Sequence, residues 1–299
     1  QHRHRFISWN AAVFLDIHPE HIEAHGSFEK YLRAKISFFE YVAKKSGARK
    51  PVFFVNAEDA HAPEFVRAAR SHPVTRFSSA EVAQRHISVP ETLPGDFNKT
   101  NVAAACAVAM SFGISEEIIR HAIASFPGLL GRMTIVSKRP VYAVVDYAHT
   151  PDSLEAVYSF LRQRADASAA LICVLGSCGG GRDKWKRPVM GSIAARYCSK
   201  IILTNEDPYD ENPEHVLRQI RKGIGDDFKG DVYEMPDRGE AIKEAVSIAR
   251  PGDTLVCTGK GSEQWIHAEK GKKIPWNESE LVFCELNRQG KYINEKTII

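Results

Sequence analysis

The sequence predicts an α/β fold with an open, mostly parallel sheet in its second half. Short apolar runs alternate there with helical segments, a pattern typical of parallel strands joined by crossover helices. The runs are continuously apolar, as expected for strands that are covered on both faces. Strands are predicted at 141–146, 170–176, 200–205, 231–235 and 253–258, and helices at 151–164, 186–198, 213–222 and 238–249.

The first half of the chain is less regular. Apolar residues recur at helical spacing in 28–44, and Ser115 is placed to cap a helix with acidic residues in its first turn. The Pro-Gly-containing stretch 127–132 is a candidate domain junction. Strands are predicted at 11–15 and 51–55, and helices at 28–44, 98–112 and 115–126.

Composition places the chain among ordinary globular proteins. It has 299 residues, 43% hydrophobic and 26% charged, with a net charge of +3 that does not favour a nucleic-acid partner. We expect no membrane span and no signal peptide, and therefore a cytoplasmic location. The six cysteines form no Cys-x-x-Cys pair, so we expect buried, reduced thiols.

Polar or glycine-rich residues follow each predicted strand of the second half. Asp146 to His149 end the first strand, and Thr150 and Pro151 then resemble a helix N-cap and first helical residue. In open α/β sheets, ligands bind at the carboxyl ends of the strands. The other strands run into 176–184, 204–209, 235–238 and 259–263. This edge of the sheet is therefore predicted to be a ligand site.

The glycine-rich segment 176–184 is not a good phosphate-binding loop. The G-x-x-x-x-G-K-[ST] pattern needs Lys and then Ser or Thr after its last glycine, whereas Arg182 and Asp183 follow here. We favour an anion-binding turn in which Arg182 binds a carboxylate through two hydrogen bonds, with a plain glycine turn as the alternative.

Several residues have a functional and an ordinary interpretation. His18, His21 and His25 are either metal ligands or structural histidines. Lys35 lies amid apolar residues, and its ordinary interpretation is a snorkelling surface lysine. Asn98 and Asn101, which precede an Ala-rich helix, either cap that helix or contact an adenine edge. Glu206 and Glu263 are either solvated loop acids or part of the predicted site.

An ordered series of short motifs resembles the Mur ligase family, most closely its MurE-type tripeptide synthetases. The resemblance covers essentially the whole chain, and the order of the motifs makes it specific. The motifs are Ala12-Val13-Phe14, Pro19-Glu20-His21, His25-Gly26, Tyr31 with Ala34-Lys35, Gly95-Asp96-Phe97-Asn98, Asn101-Val102-Ala103-Ala104, Gly131-Arg132-Met133, Asp146 to Asp152, Lys186-Arg187-Pro188, Met190-Gly191 and Gly259 to Glu263.

The resemblance implies two domains in this chain. Residues 1–132 would be the latter part of a central ATP-binding α/β domain, and 133–299 a C-terminal, Rossmann-like domain that binds an amino acid. The family's P-loop, its UDP-sugar domain and a metal-binding Glu would precede Gln1. We therefore expect the chain alone to be inactive.

The implied reaction is ATP-driven amide formation in peptidoglycan biosynthesis, through an acyl phosphate of UDP-MurNAc-L-Ala-D-Glu, with Mg²⁺ as the metal. His21 and Lys35 match a metal ligand and a carbamylated lysine. ATP contacts would come from Asn98, Asn101, Arg132 and Asp146, UDP-substrate contacts from Gln1 and Arg3, and amino-acid contacts from Arg182, Glu206, Asp207, Pro208, Tyr209, Gly259 and Glu263.

The residues that would select the amino acid depart from the family pattern. The motif that selects diaminopimelate is usually Asp-Asn-Pro-Arg, but here it reads Glu206-Asp207-Pro208-Tyr209. Tyr209 cannot supply the charge of that arginine, so diaminopimelate and L-lysine both remain open. Ser262 replaces a usual His, and Asp16 stands where Asn is common.

The resemblance implies small-molecule substrates only, no nucleic acid or membrane partner, and a monomer. Two alternatives remain: another Mur or folylpolyglutamate-synthase-like ligase, or a non-catalytic amino-acid-binding fragment.

Overall fold

A computed structural model describes residues 4, 6–44, 50–181 and 183–293. The chain divides into two compact units, Gln1–Phe126 and Pro127–Ile299. The division falls at the start of the stretch 127–132 that the sequence marks as a junction. The domain boundary expected after residue 132 stays a prediction.

The first unit is built on a parallel sheet with strand order β1-β2-β3. The predicted strands at 11–15 and 51–55 and the three predicted helices are confirmed within two residues at each end. The strands are β1 Ala11–Phe14, β2 Val52–Asn56 and β3 Val74–Phe77, and the helices are α1 Ile22–His25, α2 Phe28–Lys44, α3 Ala62–Ala68, α4 Ala80–Gln84, α5 Phe97–Ser111 and α6 Glu116–Ala124.

Strand β2 supplies the centre of the first unit's core. Phe53 and Phe54 are both fully buried, and because successive strand residues point to opposite faces, they join two different clusters. Phe53 packs with the apolar face of α2, and Phe54 packs with the small residues of α5. Both faces of the sheet are thus covered by helices.

The second unit contains the predicted parallel sheet, with strand order β4-β5-β9-β6-β7-β8 and only the edge strand β4 antiparallel. The five strands and four helices predicted from the sequence are confirmed. The strands are β4 Thr134–Ser137, β5 Tyr142–Asp146, β6 Leu171–Leu175, β7 Lys200–Leu203, β8 Asp231–Glu234, β9 Thr254–Thr258, β10 Trp265–His267 and β11 Lys273–Pro275; the helices are α7 Pro151–Arg164, α8 Lys186–Tyr197, α9 Pro213–Ile224, α10 Arg238–Ile248 and α11 Glu278–Arg288.

Local signals explain where these elements begin. The Thr150 hydroxyl accepts a hydrogen bond from the Ser153 amide, and Pro151 is the first residue of α7, as predicted. Strand β6 is buried at every residue. Strand β4 and the hairpin β10–β11 were not predicted, because strands of three or four residues are too short to show a clear alternation. Helix α11 was not predicted either.

The expectation that the cysteines are all reduced is wrong for one pair. Cys173 of β6 and Cys198, which follows α8, are joined by a disulfide with their Cα atoms 6.2 Å apart. Crossover helix α8 brings Cys198 back beside the strand, a proximity that their separation of 25 residues conceals. Cys106 and Cys257 are free and buried, as expected, whereas Cys178 is only partly buried and Cys284 is exposed.

Within the ranges that the structure describes, no helix combines the length and the apolar character needed to cross a bilayer.

Candidate functional site

The carboxyl ends of β5, β9, β6 and β7 lie along one edge of the second unit's sheet, because these neighbouring strands are parallel and in register. The polar segments that follow them therefore meet, as the sequence predicts. Asp146 ends β5 and Thr258 ends β9, while Glu206 lies just beyond β7. The contacts among these segments define the candidate site.

Asp146 organises the turn after β5. It is buried, and its two oxygens accept hydrogen bonds from the backbone amides of Met133 (2.6 Å) and Ala148 (2.7 Å). Burial raises the pKa of Asp146, while these hydrogen bonds favour the ionised form. The two oxygens thus fix the backbone at Met133 and at Ala148. The contact expected between Asp146 and a nucleotide stays a prediction.

Tyr147 connects two residues that the sequence assigns to different ligands. Its hydroxyl donates a 2.9 Å hydrogen bond to Glu263, and its ring lies beneath the Arg132 guanidinium, 4.4 Å from ring centre to Cζ. The His149 ring meets the same ring edge-on. Burial, followed by the hydrogen bond to Glu263, raises the pKa of Tyr147. The phenol is therefore a neutral donor at physiological pH.

Lys260 is the buried cation of the site. Its ammonium donates to Asp207 (2.8 Å) and to Glu263 (2.5 Å), and Asp207 also accepts from the backbone amide of His267 (2.9 Å). Burial opposes the charge on Lys260, but the hydrogen bonds and the charges of the two carboxylates outweigh it and raise its pKa. Lys260 thus joins the loop after β7 to the loop after β9.

Glu206 is buried, yet no described residue donates a hydrogen bond to its Oε2 atom. The carboxylate lies against Gly259, where a Cβ atom would come within 3.1 Å of Oε2. Burial raises the pKa of this carboxyl, and neighbouring cations oppose the rise. The solvated-acid alternative is therefore wrong for Glu206. Glu263, which is partly exposed, is also not free, because it is held by Tyr147 and Lys260.

Tyr209 contributes an uncharged ring where the family motif has arginine. The ring stacks on His267, with 5.4 Å between centroids, and the Tyr209 amide bonds to the His267 carbonyl. Its backbone is left-handed, with φ of 50°. Pro208 lies close beneath the glycine-rich loop, because a Cβ on Gly179 would overlap its carbonyl. These contacts fix the second half of the motif.

Two buried arginines were missed as contributors to the site. Arg187 donates to Glu211 (2.7 and 2.9 Å) and to the Cys178 carbonyl (2.9 Å), which holds the glycine-rich loop. The hydrogen bond from Arg187 is the main cause that lowers the pKa of Glu211 to about 2. Arg238 pairs with Glu278 out of contact with solvent. The Lys186-Arg187-Pro188 motif marked Arg187 in the sequence, but its partner Glu211 lies 24 residues away and no local pattern predicts the pair.

In the first unit, the predicted metal residues lie around the ring of Tyr31 in α2. The ring centres of His21 and His25 lie 6.1 and 5.3 Å from that of Tyr31, and the Lys35 ammonium lies 5.2 Å from it. Lys35 is exposed rather than set in an apolar face, which corrects the sequence interpretation. This exposure fits the surface-lysine alternative, and a metal shared by carbamylated Lys35 and His21 stays a prediction. The described residues form no cluster of three His, Cys, Asp or Glu suited to a metal, so the three-histidine interpretation gains no support.

Asn98 and Asn101 lie inside the first turns of α5, which Asp96 precedes as N-cap residue, so the capping alternative is wrong for both. The Asn98 amide donates to the Pro94 carbonyl, and Asn101 donates to the Asn98 side chain at 3.2 Å. Asn101 remains exposed. Gln1, Arg3 and Arg182 lie outside the described residues.

Two domain descriptions match the chain: the Mur ligase middle domain over residues 1–92 and the Mur ligase glutamate ligase domain over 131–261. The chain belongs to the Mur ligase family. The resemblance inferred from the motifs and the α/β fold are thereby confirmed.

Among its relatives is the UDP-N-acetylmuramoyl-L-alanyl-D-glutamate--2,6-diaminopimelate ligase of Chlorobium phaeobacteroides, 33% identical over 292 residues, which cover 87% of this chain and 55% of that protein. A solved structure of a ligase with the same name is 27% identical with a TM-score of 0.54, covering 94% and 61% of the two chains. Folylpolyglutamate synthase from Mycobacterium tuberculosis, complexed with ADP, shares the fold at 18% identity, a TM-score of 0.64 and coverage of 85% and 61%. The chain thus spans little more than half of the relatives it matches.

Proposed function

We propose that this chain is part of an ATP-dependent ligase that adds an amino acid to UDP-MurNAc-L-Ala-D-Glu in peptidoglycan biosynthesis. The observation that carries the proposal is the cluster at the strand ends, where Glu206, Asp207, Lys260 and Glu263 are brought together. These residues belong to the segments that resemble the amino-acid site of tripeptide synthetases. The relative from Chlorobium phaeobacteroides is named for this kind of reaction.

The cluster favours an amino acid that bears a second amino group. Asp207 and Glu263 are already neutralised by Lys260, whereas the Glu206 carboxylate retains an oxygen without a partner. A buried carboxylate of this kind is stabilised by an ammonium group. Tyr209 provides no charge for a second carboxylate, so L-lysine fits the described residues better than diaminopimelate.

The substrate carboxylate would attack the γ-phosphate of ATP, which gives an acyl phosphate and releases ADP. The amino group of the incoming amino acid would then attack the acyl carbon, lose a proton and displace phosphate. A relative of the same fold binds ADP. Mg²⁺, held by His21 and carbamylated Lys35, would neutralise charge on the phosphoryl oxygens. Arg132, fixed over the Tyr147 ring, would lie near the phosphates, and Arg182 would bind the carboxylate of the amino acid.

The experiment is a panel of amino acids tested with the full-length protein, ATP, Mg²⁺ and UDP-MurNAc-L-Ala-D-Glu, with phosphate release as the readout. We expect release that depends on both the dipeptide and one basic amino acid. Arg182→Ala should raise the KM for the amino acid far more than the KM for ATP. Phosphate release with no member of the panel would refute the ligase and leave the amino-acid-binding alternative.

A further Mur-type or folylpolyglutamate-synthase-like ligase is the alternative enzyme. The fold similarity to folylpolyglutamate synthase is the observation that favours this alternative enzyme. Replacing UDP-MurNAc-L-Ala-D-Glu by a folate and glutamate in the same assay separates the two, because each enzyme activates a carboxylate on a different acceptor.

A further inference from the structure

The β10–β11 hairpin is joined by hydrogen bonds to the motif segment 206–209. The His267 amide donates to the Asp207 carboxylate (2.9 Å), and the Tyr209 amide donates to the His267 carbonyl (3.0 Å). The hairpin carries none of the residues that the sequence assigns to the site. It nevertheless holds the segment that would select the amino acid.

The glycine-rich loop after β6 contacts the same segment. The Gly179 amide donates to the Asp207 carbonyl (2.7 Å). A Cβ atom on Gly180 would lie 3.3 Å from the Tyr209 ring, so the ring is in contact with this loop. The motif segment is therefore held by two neighbours, the glycine-rich loop and the hairpin.

Tyr209 has a backbone conformation that needs support from its surroundings. Its φ of 50° lies in the left-handed region, which is unfavourable for a residue with a bulky side chain. Such conformations persist where surrounding contacts fix them, and they cluster at ligand sites. His267 supplies these contacts, because its carbonyl accepts from the Tyr209 amide and its ring stacks on the Tyr209 ring, with 16° between the planes. His267 thus fixes both the backbone and the ring of Tyr209.

We propose that His267 is a positioning residue of the amino-acid site, which holds the Tyr209 ring as the wall that meets the side chain of the incoming amino acid. This inference rests on the proposed ligase function and deepens it. The ring fills the space between Gly180 and His267. A side chain that ends in an ammonium group alone, such as that of L-lysine, fits beside this wall, whereas a second carboxylate would have to displace the uncharged ring.

The test compares His267→Ala with wild type in the full-length protein, with L-lysine and diaminopimelate as alternative substrates. The variant loses the stack on Tyr209, so the KM for L-lysine should rise about 3- to 10-fold, the factor expected for one aromatic pair. The KM for ATP should not change. The preference for L-lysine, measured as the ratio of the two kcat/KM values, should fall because the wall is no longer fixed.

Two further variants separate this role from a general loss of structure. His267→Phe keeps an aromatic ring that can stack on Tyr209, so it should restore both the KM and the preference. His215→Ala removes an exposed histidine of α9 in the same unit and should change neither quantity.

A double variant tests whether His267 acts through Tyr209. Tyr209→Gly removes the ring, and glycine adopts the left-handed backbone without strain. Adding His267→Ala to Tyr209→Gly should cause no further rise in the KM for L-lysine, because the ring that His267 holds is already gone. Additive effects of the two substitutions would contradict the positioning role.

An unchanged KM and preference in His267→Ala would overturn the proposal, as would a wild-type preference for diaminopimelate. So would equal rises in the KM for L-lysine and the KM for ATP that His267→Phe does not reverse. Failure of both His267 variants to fold would also overturn it, since that result would assign His267 to the structure alone.

A binding measurement separates this inference from the ligase proposal. L-lysine should raise the melting temperature of wild type, and at the same concentration it should raise that of His267→Ala less. That result without phosphate release from any amino acid would refute the proposed function alone. Ligation by wild type with an unaltered KM and preference in His267→Ala would refute this inference alone, and the absence of both binding and ligation would refute both.

Discussion

Replacing Arg238 should strongly destabilise the second unit. Arg238 is 2% exposed and Glu278 1% exposed, and the guanidinium donates to Glu278 at 2.5 Å. It also donates to the carbonyls of Asn205 (2.9 Å) and Thr258 (2.7 Å), which follow β7 and end β9. Arg238→Met would leave a buried carboxylate whose remaining described partner is the Trp276 ring nitrogen.

The expected loss is about 3–5 kcal/mol in the free energy of unfolding, the usual cost of breaking a buried ion pair by removing one partner. For a unit of this size, roughly 2–4 °C per kcal/mol corresponds to a fall of about 10 °C in melting temperature. Urea unfolding followed by circular dichroism measures the free energy directly. Because Glu206 and Gly259 directly follow Asn205 and Thr258, the KM for the amino acid should rise as well.

Two further variants show whether the cost comes from the unpaired charge. In Arg238→Met/Glu278→Leu no buried charge remains, so the double variant should lose less stability than the sum of the single variants. Arg196→Met removes an exposed pair with Glu155 and should cost less than about 1 kcal/mol. An Arg238→Met variant within 1 kcal/mol of wild type would refute the reasoning.

Three other predictions follow from the site. Lys35→Ala should abolish ligation by the full-length protein, with partial rescue by short carboxylic acids; undiminished phosphate release would contradict the carbamate role. Tyr147→Phe keeps the ring but removes the donor to Glu263, so the KM for the amino acid should rise about tenfold with the KM for ATP unchanged; equal rises in both would show a general disturbance. Glu211 has a lowered pKa, so its contribution to stability is present above pH 4.5 and is lost as the pH falls towards about 2. Glu211→Gln should therefore make the melting temperature less dependent on pH across that interval, and an unchanged slope would show that Arg187 does not lower this pKa.

Much of the second unit was predictable from local sequence. Continuous apolar runs and capped helices specify strands and crossovers within a few residues, and parallel strands place their carboxyl ends on one edge. The predicted strand directions alone place Asp146, Glu206 and Glu263 at one edge of the sheet. The specific order of motifs then identified the Mur ligase family.

The contacts that define the site required the tertiary structure. Lys260 meets Asp207 across 53 residues, and Arg238 meets Glu278 across 40. No local pattern encodes such pairs, because a side chain's partner is set by how strands are ordered in the sheet. Strand β9, for example, lies between β5 and β6, so the Gly259 amide donates to the carbonyl of Asp146 at the end of β5.

Burial was the other quantity that the sequence could not supply. Lys35 and Lys186 each stand in a helical segment, yet Lys35 is exposed and Lys186 is only 5% exposed. The same limit hid the Cys173–Cys198 bond. Residue type and spacing alone thus determined the fold class, the order of elements and the edge that holds the site. Only the packing of helices and loops on that sheet decided which charges are paired and which remain for a ligand, because the cost of a charge depends on its surroundings.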